Sequence, residues 1–271
     1  MTKCLLIEII GGVGNIVTAF CFWVGVHRMW SHHAFKAHWL VRLVLAVGFS
    51  GTLEGTIFDW CRGHRLHHKH SDTDGDPHNA TRGLFYAHIG MTWSTEHPDV
   101  IRAESKYSYD DYWNDWVVRW QYRHYEKIQL MVNLSYAMIH YLILGDTLIE
   151  SIGFTAVRIV SLIQSTSLIN SAAHLFGYKP YNDKIYPTDN AIVSLATLGE
   201  GHHNYHHQFP SDYRQSESSM MGINFTAHLI DLLAWLGLVW DLKTAPSSMV
   251  ELSKLKSETN NNCIVTKAMC G

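Results

Sequence analysis

Nineteen histidines in 271 residues nearly equal the 21 lysines and arginines combined, and their spacing is patterned. His64, His67 and His68 in "HRLHH" repeat the i, i+3, i+4 spacing of His203, His206 and His207 in "HNYHH". On an α-helix that spacing sets three imidazoles on one face. His27 and His32 form "HRMWSH"; five residues apart, they diverge by about 140° on a regular helix. They therefore serve two different metals or straddle a helix end. His174 in "NSAAH" completes a set of nine. Neutral imidazole is a ligand for iron, zinc, copper and nickel. A zinc site needs only about three or four ligands, so the set exceeds one site and suits two metals. One triplet alone reads equally as a pH switch or a surface cluster; two triplets and a pair read as a dimetal centre.

Soluble carboxylate di-iron bundles pair Glu-x-x-His motifs with further glutamates. Here the motif occurs from Glu200 to His203 without its companions, which argues against that architecture. Ligating imidazoles donate their second N–H to a carboxylate or carbonyl. Asp72, Asp74 and Asp76 stand in sequence where they could accept it, or they form an acidic turn. The remaining histidines, His78 and His140 among them, fall outside the pattern and read as ordinary surface or supporting residues.

Long apolar segments must carry these groups together. Charged residues are 17% of the chain, against about 25% in soluble domains, and the apolar residues are segregated. Residues 9–26, "IIGGVGNIVTAFCFWVGV", contain no charge and are about long enough to cross a bilayer core. With no A-x-A-like cleavage site, the stretch reads as a span rather than a signal peptide. Residues 128–149 and 152–173 are two more spans, of lengths that suit a bilayer better than a soluble hairpin. Their polar residues, Asn133, His140, Arg158 and Gln164, should face the bundle interior. Residues 43–53 are too short to span and read as a buried or interfacial helix.

The expected fold is therefore all-α: three integral membrane helices capped by a helical domain that holds a histidine-rich dimetal centre. The first span ends beside His27, and the hairpin pair goes out and returns beside His174, so all histidine clusters fall on one membrane face. The catalytic parts are residues 27–127 and 174–242 of a single domain over 1–250, and 251–271, without periodicity, is expected to be a disordered tail. A net charge of −3 argues against a nucleic-acid partner. Five scattered cysteines without a C-x-x-C read as free thiols in a reducing compartment.

"HRMWSH", "HRLHHKHSDTDGDPHN", "NSAAHLFGYKPYN", "GEGHHNYHHQFPSDYR" and the closing "INFTAHLIDLLAWLGLVWDLKTA" resemble the histidine boxes and flanks of the membrane-bound acyl-CoA desaturases. The likeness is to the stearoyl-CoA (delta-9) type, insect members especially, and covers about Ile9 to Val250. It implies two ferrous ions bound by His27, His32, His64, His67, His68, His174, His203, His206 and His207, with Asn170 near one of them through a water. It also implies dioxygen and electrons from NADH, passed through NADH-cytochrome b5 reductase and cytochrome b5, to place a cis double bond in a saturated fatty acyl-CoA. The expected location is the endoplasmic reticulum membrane, multi-pass, with the catalytic face cytosolic. Arg62, Arg65 and Lys69 are candidates for the anionic head group. Hydroxylation shares the early C–H abstraction, so a fatty-acyl hydroxylase on the same scaffold is one alternative, and a truncated non-catalytic paralogue is another.

Some positions depart from the family pattern. Members carry a further transmembrane helix before the segment matching 9–26, four spans where three are expected here. Gly63 stands for an aspartate, Glu54-Gly55 for Gln-Asn, Thr95-Glu96 for a basic pair and His202 for an aromatic. These changes touch CoA recognition, chain-length choice and membrane assembly more than iron binding.

Overall fold

A computed structural model describes residues 12–217 and 224–270, with side chains described through 260. Among the described residues regular structure is helical, apart from isolated bridges and the two-residue strands Lys36–Ala37 and Val239–Trp240. Two compact units emerge. The first takes the chain up to Ser31, with Ala37–His64 and Ser108–Ser165; the second takes His32–Lys36, Arg65–Tyr107 and the chain from Thr166 onward.

The first unit opens with helix α1 (12–31), which winds as a π-helix over Cys21–Ser31. Helix α2 (Trp39–Ser50) packs on α1 and on the long helix α7 (Trp116–Met138). Gly48 permits that approach, since a Cβ there would sit 2.3 Å from the Cys21 sulfur. Cys21 and Cys61 are buried and form no disulfide. Helix α3 (Ile57–His70) carries the first histidine triplet, and short helices follow at α4 (Leu84–His88), α5 (Pro98–Glu104) and α6 (Asp110–Trp113).

The expected span boundaries shift. Residues 9–11 lie outside the described residues, and the rest of the first stretch is α1. The second stretch begins as a helix at Trp116 rather than Ile128, because Asp115 caps it by accepting the Val117 N–H at 2.8 Å. Charges at Arg119, Arg123, Glu126 and Lys127 lower the hydropathy of that first part without interrupting the helix. It continues as a π-helical turn over Ile139–Leu144 and stops where Gly145 turns left-handed at φ 71°, so residue 149 belongs to the next helix. That helix, α8 (Leu148–Leu175), is the one described helix long and apolar enough to cross a membrane.

Polar residues within these helices mostly turn inward. Arg158, 1% exposed, donates to the Thr18 hydroxyl at 3.1 Å, the Gly51 carbonyl at 3.2 Å and the Asn133 side chain, and lies over the Tyr136 ring. His140 is buried; its Nδ1 meets Asp146 at 2.9 Å and its ring stacks on Phe154. Gln164 departs from expectation and is exposed. The buried stripe of α8 in this unit runs through Ser151, Arg158 and Leu162, at i, i+7 and i+11, and Gln164 falls off it.

In the second unit, Leu66, Val100 and Ala103 form one small core, while Tyr205, Phe209 and Val250 form another. The unit also holds α9 (Ala191–Ala196), α10 (His203–Gln208), α11 (Phe225–Trp235) and α12 (Ser247–Cys270). The tail expected to be disordered, residues 251–271, is thus helical through Cys270. It is docked by point contacts, Val250 in the core and the Ser257 hydroxyl on the Lys179 carbonyl at 2.8 Å, which leave no periodic apolar stripe for sequence reading to detect.

Asp146→Ala strands the buried His140 ring. It should lower stability by about 1–3 kcal/mol, read as a depressed thermal midpoint of the detergent-solubilised chain, with Asp146→Asn losing less. An unchanged midpoint in the alanine variant would show that the pair does not hold the hairpin together.

Candidate metal centre

Helix α3 starts at a reciprocal cap, in which the Thr56 hydroxyl accepts the Asp59 N–H at 3.1 Å and donates to its carboxylate at 2.6 Å. The helical register then sets His64, His67 and His68 on one side and Arg62, Arg65 and Lys69 on the other. The short helix α10 needs more support. Asp189 accepts the N–H groups of Asn204 at 2.9 Å and Tyr205 at 3.3 Å, meeting the open N-terminus of the helix. The Asn204 side chain accepts from the Tyr181 and Asn182 N–H groups and donates to the Asn182 and Pro187 carbonyls. Asp189 and Asn204 thus aim the second triplet, and sequence reading passed over both because neither repeats a ligand spacing. On α8, Asn170 precedes His174 by one turn, on the same face.

In the second unit, His67, His174, His203 and His207 bring ligand nitrogens within 4.8 Å of one another. His174 Nε2 lies 2.9 Å from His203 Nε2, which is 3.1 Å from His207 Nε2. His174 Nδ1 donates to Asp72 at 2.9 Å and His67 Nδ1 donates to Asp76 at 2.9 Å. With its proton held on Nδ1, His174 turns an Nε2 lone pair toward its neighbours. Two nitrogens each about 2.1 Å from a metal and at right angles stand about 3 Å apart, so the observed separations fit a shared cation. Beside this group, the rings of His32, His68 and His206 lie 4.6 Å apart pairwise, and His206 Nε2 approaches His68 Nε2 at 2.9 Å. In the first unit, His27 and His64 meet edge to face at 4.8 Å, and Trp60 stacks on His64 at 4.6 Å. His27 lies on the π-helical stretch that ends at Ser31, so His27 and His32 straddle a helix end, one of the two arrangements their spacing allowed.

Metal loading requires neutral imidazoles, and the surroundings favour that form at His207 but not at His67. Burial pushes His207 well below the ordinary imidazole value, and neighbouring imidazoles add to the effect. Burial pulls on His67 too, but the Asp76 carboxylate outweighs it and the net direction is upward. Burial alone would raise Asp76, yet His67, His78 and the Asp72 N–H bring it down to about 2. Asp72 is also lowered, burial being overcome by the hydrogen bond and charge of His174.

Two of the three candidate acids, Asp72 and Asp76, therefore orient candidate histidines, His174 and His67. Asp74 does not; it is exposed and groups with His97 and Asp99 at the surface. His78, read as ordinary, lies 5.5 Å from the His67 ring, with its pKa pushed down to about 4 by burial and by His67. Its place in the run "DPHN" was the available signal. Arg62 pairs with Asp59 at 3.5 Å, Arg65 is half-buried and Lys69 is exposed. A Cβ on Gly63 would meet nothing within 4 Å, so an aspartate would fit there. His202 faces Asp189 at 3.7 Å.

Comparison with known proteins adds a second line. The profile of the fatty acid desaturase family matches residues 9–217. The chain is 40% identical to an acyl-CoA Delta(11) desaturase of Choristoneura rosaceana, over 86% of this chain and 69% of that protein. It is 41% identical to stearoyl-CoA desaturase 5 of Bos taurus, over 89% and 72%. It is 42% identical to an acyl-CoA Delta12-desaturase of Acheta domesticus, over 84% and 64%.

Asp72→Asn and Asp76→Asn should each weaken metal retention about 10–100-fold, measured by metal analysis during titration with a chelator. Asp74→Asn should change nothing; equal loss from all three variants would mean the acids act only through general charge.

Proposed function

The chain belongs to the fatty acid desaturase family, and from that premise we propose that it introduces a cis double bond into a saturated fatty acyl-CoA. Two iron ions would be held by the nine histidines His27, His32, His64, His67, His68, His174, His203, His206 and His207, with Asn170 one turn before His174 acting through a water. When bound, the irons supply one-electron chemistry with dioxygen capable of taking hydrogen from an unactivated methylene, which redox-inert zinc does not provide. Electrons would come from cytochrome b5 and its NADH-dependent reductase. The setting would be the endoplasmic reticulum membrane, crossed by α1, α7 and α8, with the histidines toward the cytosol.

The reading rests on one observation above all: four imidazoles, His67, His174, His203 and His207, converge in the second unit, two of them held by buried carboxylates. The supporting residues have separable tasks. Asp72 and Asp76 keep the Nδ1 protons of His174 and His67 in place, so that Nε2 serves as donor to metal. Burial of His67, His174 and His203 would keep bulk water away from the irons they hold. Arg62, Arg65 and Lys69, on the side of α3 away from its histidines, would meet the anionic CoA head group. The family match runs through both units, which supports reading residues 1–250 as one desaturase domain.

Expression in yeast lacking its own desaturase, fed saturated acids of several lengths, should yield a new cis-unsaturated acid. Purified protein should carry about two irons per chain, and His174→Ala or His203→Ala should abolish the product. Iron-loaded protein that makes only a hydroxylated acid would redirect the assignment; iron-free protein with no product would overturn it.

A further inference from the structure

Helix α8 ends at Leu175, and the chain beyond it carries large apolar side chains on its surface. The path is continuous in hydrogen bonds: Asn190, which caps α9, donates to the Phe176 carbonyl at 2.7 Å. The Leu198 carbonyl beyond α9 accepts from the N–H of Thr226, at the start of α11, at 3.4 Å. Each station exposes apolar groups: Phe176 and Tyr178 at the end of α8, Ile192 and Leu195 on α9, and Phe225, Leu232, Trp235 and Leu236 along α11.

On α11 these side chains are ordered. Phe225, Leu232, Trp235 and Leu236 fall within about 100° of one another on a helical projection, with the exposed His228 inside the same arc, while Thr226, Ala227 and Ile230 are buried on the other side. Trp235 is 81% exposed. Asp231, at the edge of the stripe, is held by the Tyr213 hydroxyl at 2.8 Å. The helix has 11 residues, about 16 Å of rise, about half a bilayer core. It cannot span, but it can lie flat at a lipid surface with its apolar stripe sunk among the acyl chains.

We propose that α11, continued by α9, is an interfacial membrane anchor: Phe225, Leu232, Trp235 and Leu236 enter the acyl boundary of the bilayer that α8 crosses. Lipid is the occupant because the stripe hangs, through α9, from the end of the one described helix suited to a span. Its chemistry agrees: leucines and phenylalanine with a tryptophan at the end, the indole being the side chain that settles at headgroup level. The inference rests on the membrane reading above and deepens it, since it adds a lipid contact outside the spans.

The test places a photoreactive benzoylphenylalanine at three sites of the full chain in phosphatidylcholine nanodiscs and reads adducts by mass spectrometry. Val160→benzoylphenylalanine, on the exposed side of α8, reports whether α8 is in lipid. Lys106→benzoylphenylalanine, at an exposed polar site of the second unit, is the aqueous control. Trp235→benzoylphenylalanine should give phospholipid adducts at least about tenfold above the Lys106 site. Adducts at Val160 but not at Trp235, or a Trp235 adduct to a second copy of the chain or another protein, would overturn the anchor and leave the spans intact. No lipid adduct at Val160 would overturn the membrane reading, and the anchor with it. The readout needs no catalysis, so it is independent of the proposed activity.

Discussion

Two buried hydrogen bonds, Asp72 to His174 and Asp76 to His67, set the state of the centre. An imidazole can present either nitrogen; a carboxylate on Nδ1 removes the choice and leaves Nε2 for a cation. The carboxylates are themselves fixed by the backbone. Asp76 accepts N–H groups of Asp72 and His78, and Asp72 accepts that of Ala80. Asp72 does so from a left-handed conformation at φ 59°, one that aspartate tolerates better than most residues. The turn after α3 is therefore a scaffold for two histidines, His67 and His174, that lie far apart in the chain.

A different constraint governs the first unit. Its helices bury Arg158 and the His140–Asp146 pair, groups that a hydrocarbon environment tolerates only when they are satisfied by neighbours. Arg158 gathers Thr18, Gly51 and Asn133 from three segments, so the unit is held by a polar knot as well as by apolar packing. In lipid that is a sensible division of labour, because apolar contacts between helices compete with equally apolar lipid tails.

Much of this was legible in the residues. The i, i+3, i+4 triplets are helical and point inward, because ligand spacing and helix pitch are the same signal. The short apolar stretch at 43–53 lies mostly in a short helix, Trp39–Ser50, which starts earlier and ends before Gly51. Boundaries were harder to read: α7 starts at a cap, Asp115, thirteen residues ahead of the apolar run at Ile128, and hydropathy does not register caps. Asp189 and Asn204 were invisible because their work is done through backbone groups, and Asp72 and Asp76 could not be told from Asp74 until the chain was folded. The final helix escaped notice because scattered contacts dock it rather than a stripe.

Helix α8 has a mechanical corollary. Its 28 residues contain no proline and make a rod of about 42 Å, with the Gly145 turn near one end and His174 at the other. A stiff rod transmits tilt, and the tilt of a hydrophobic segment responds to the thickness of the surrounding bilayer. On the proposed membrane reading, a change in lipid composition at the hairpin would be felt at the far end of the rod, where the His174 imidazole stands.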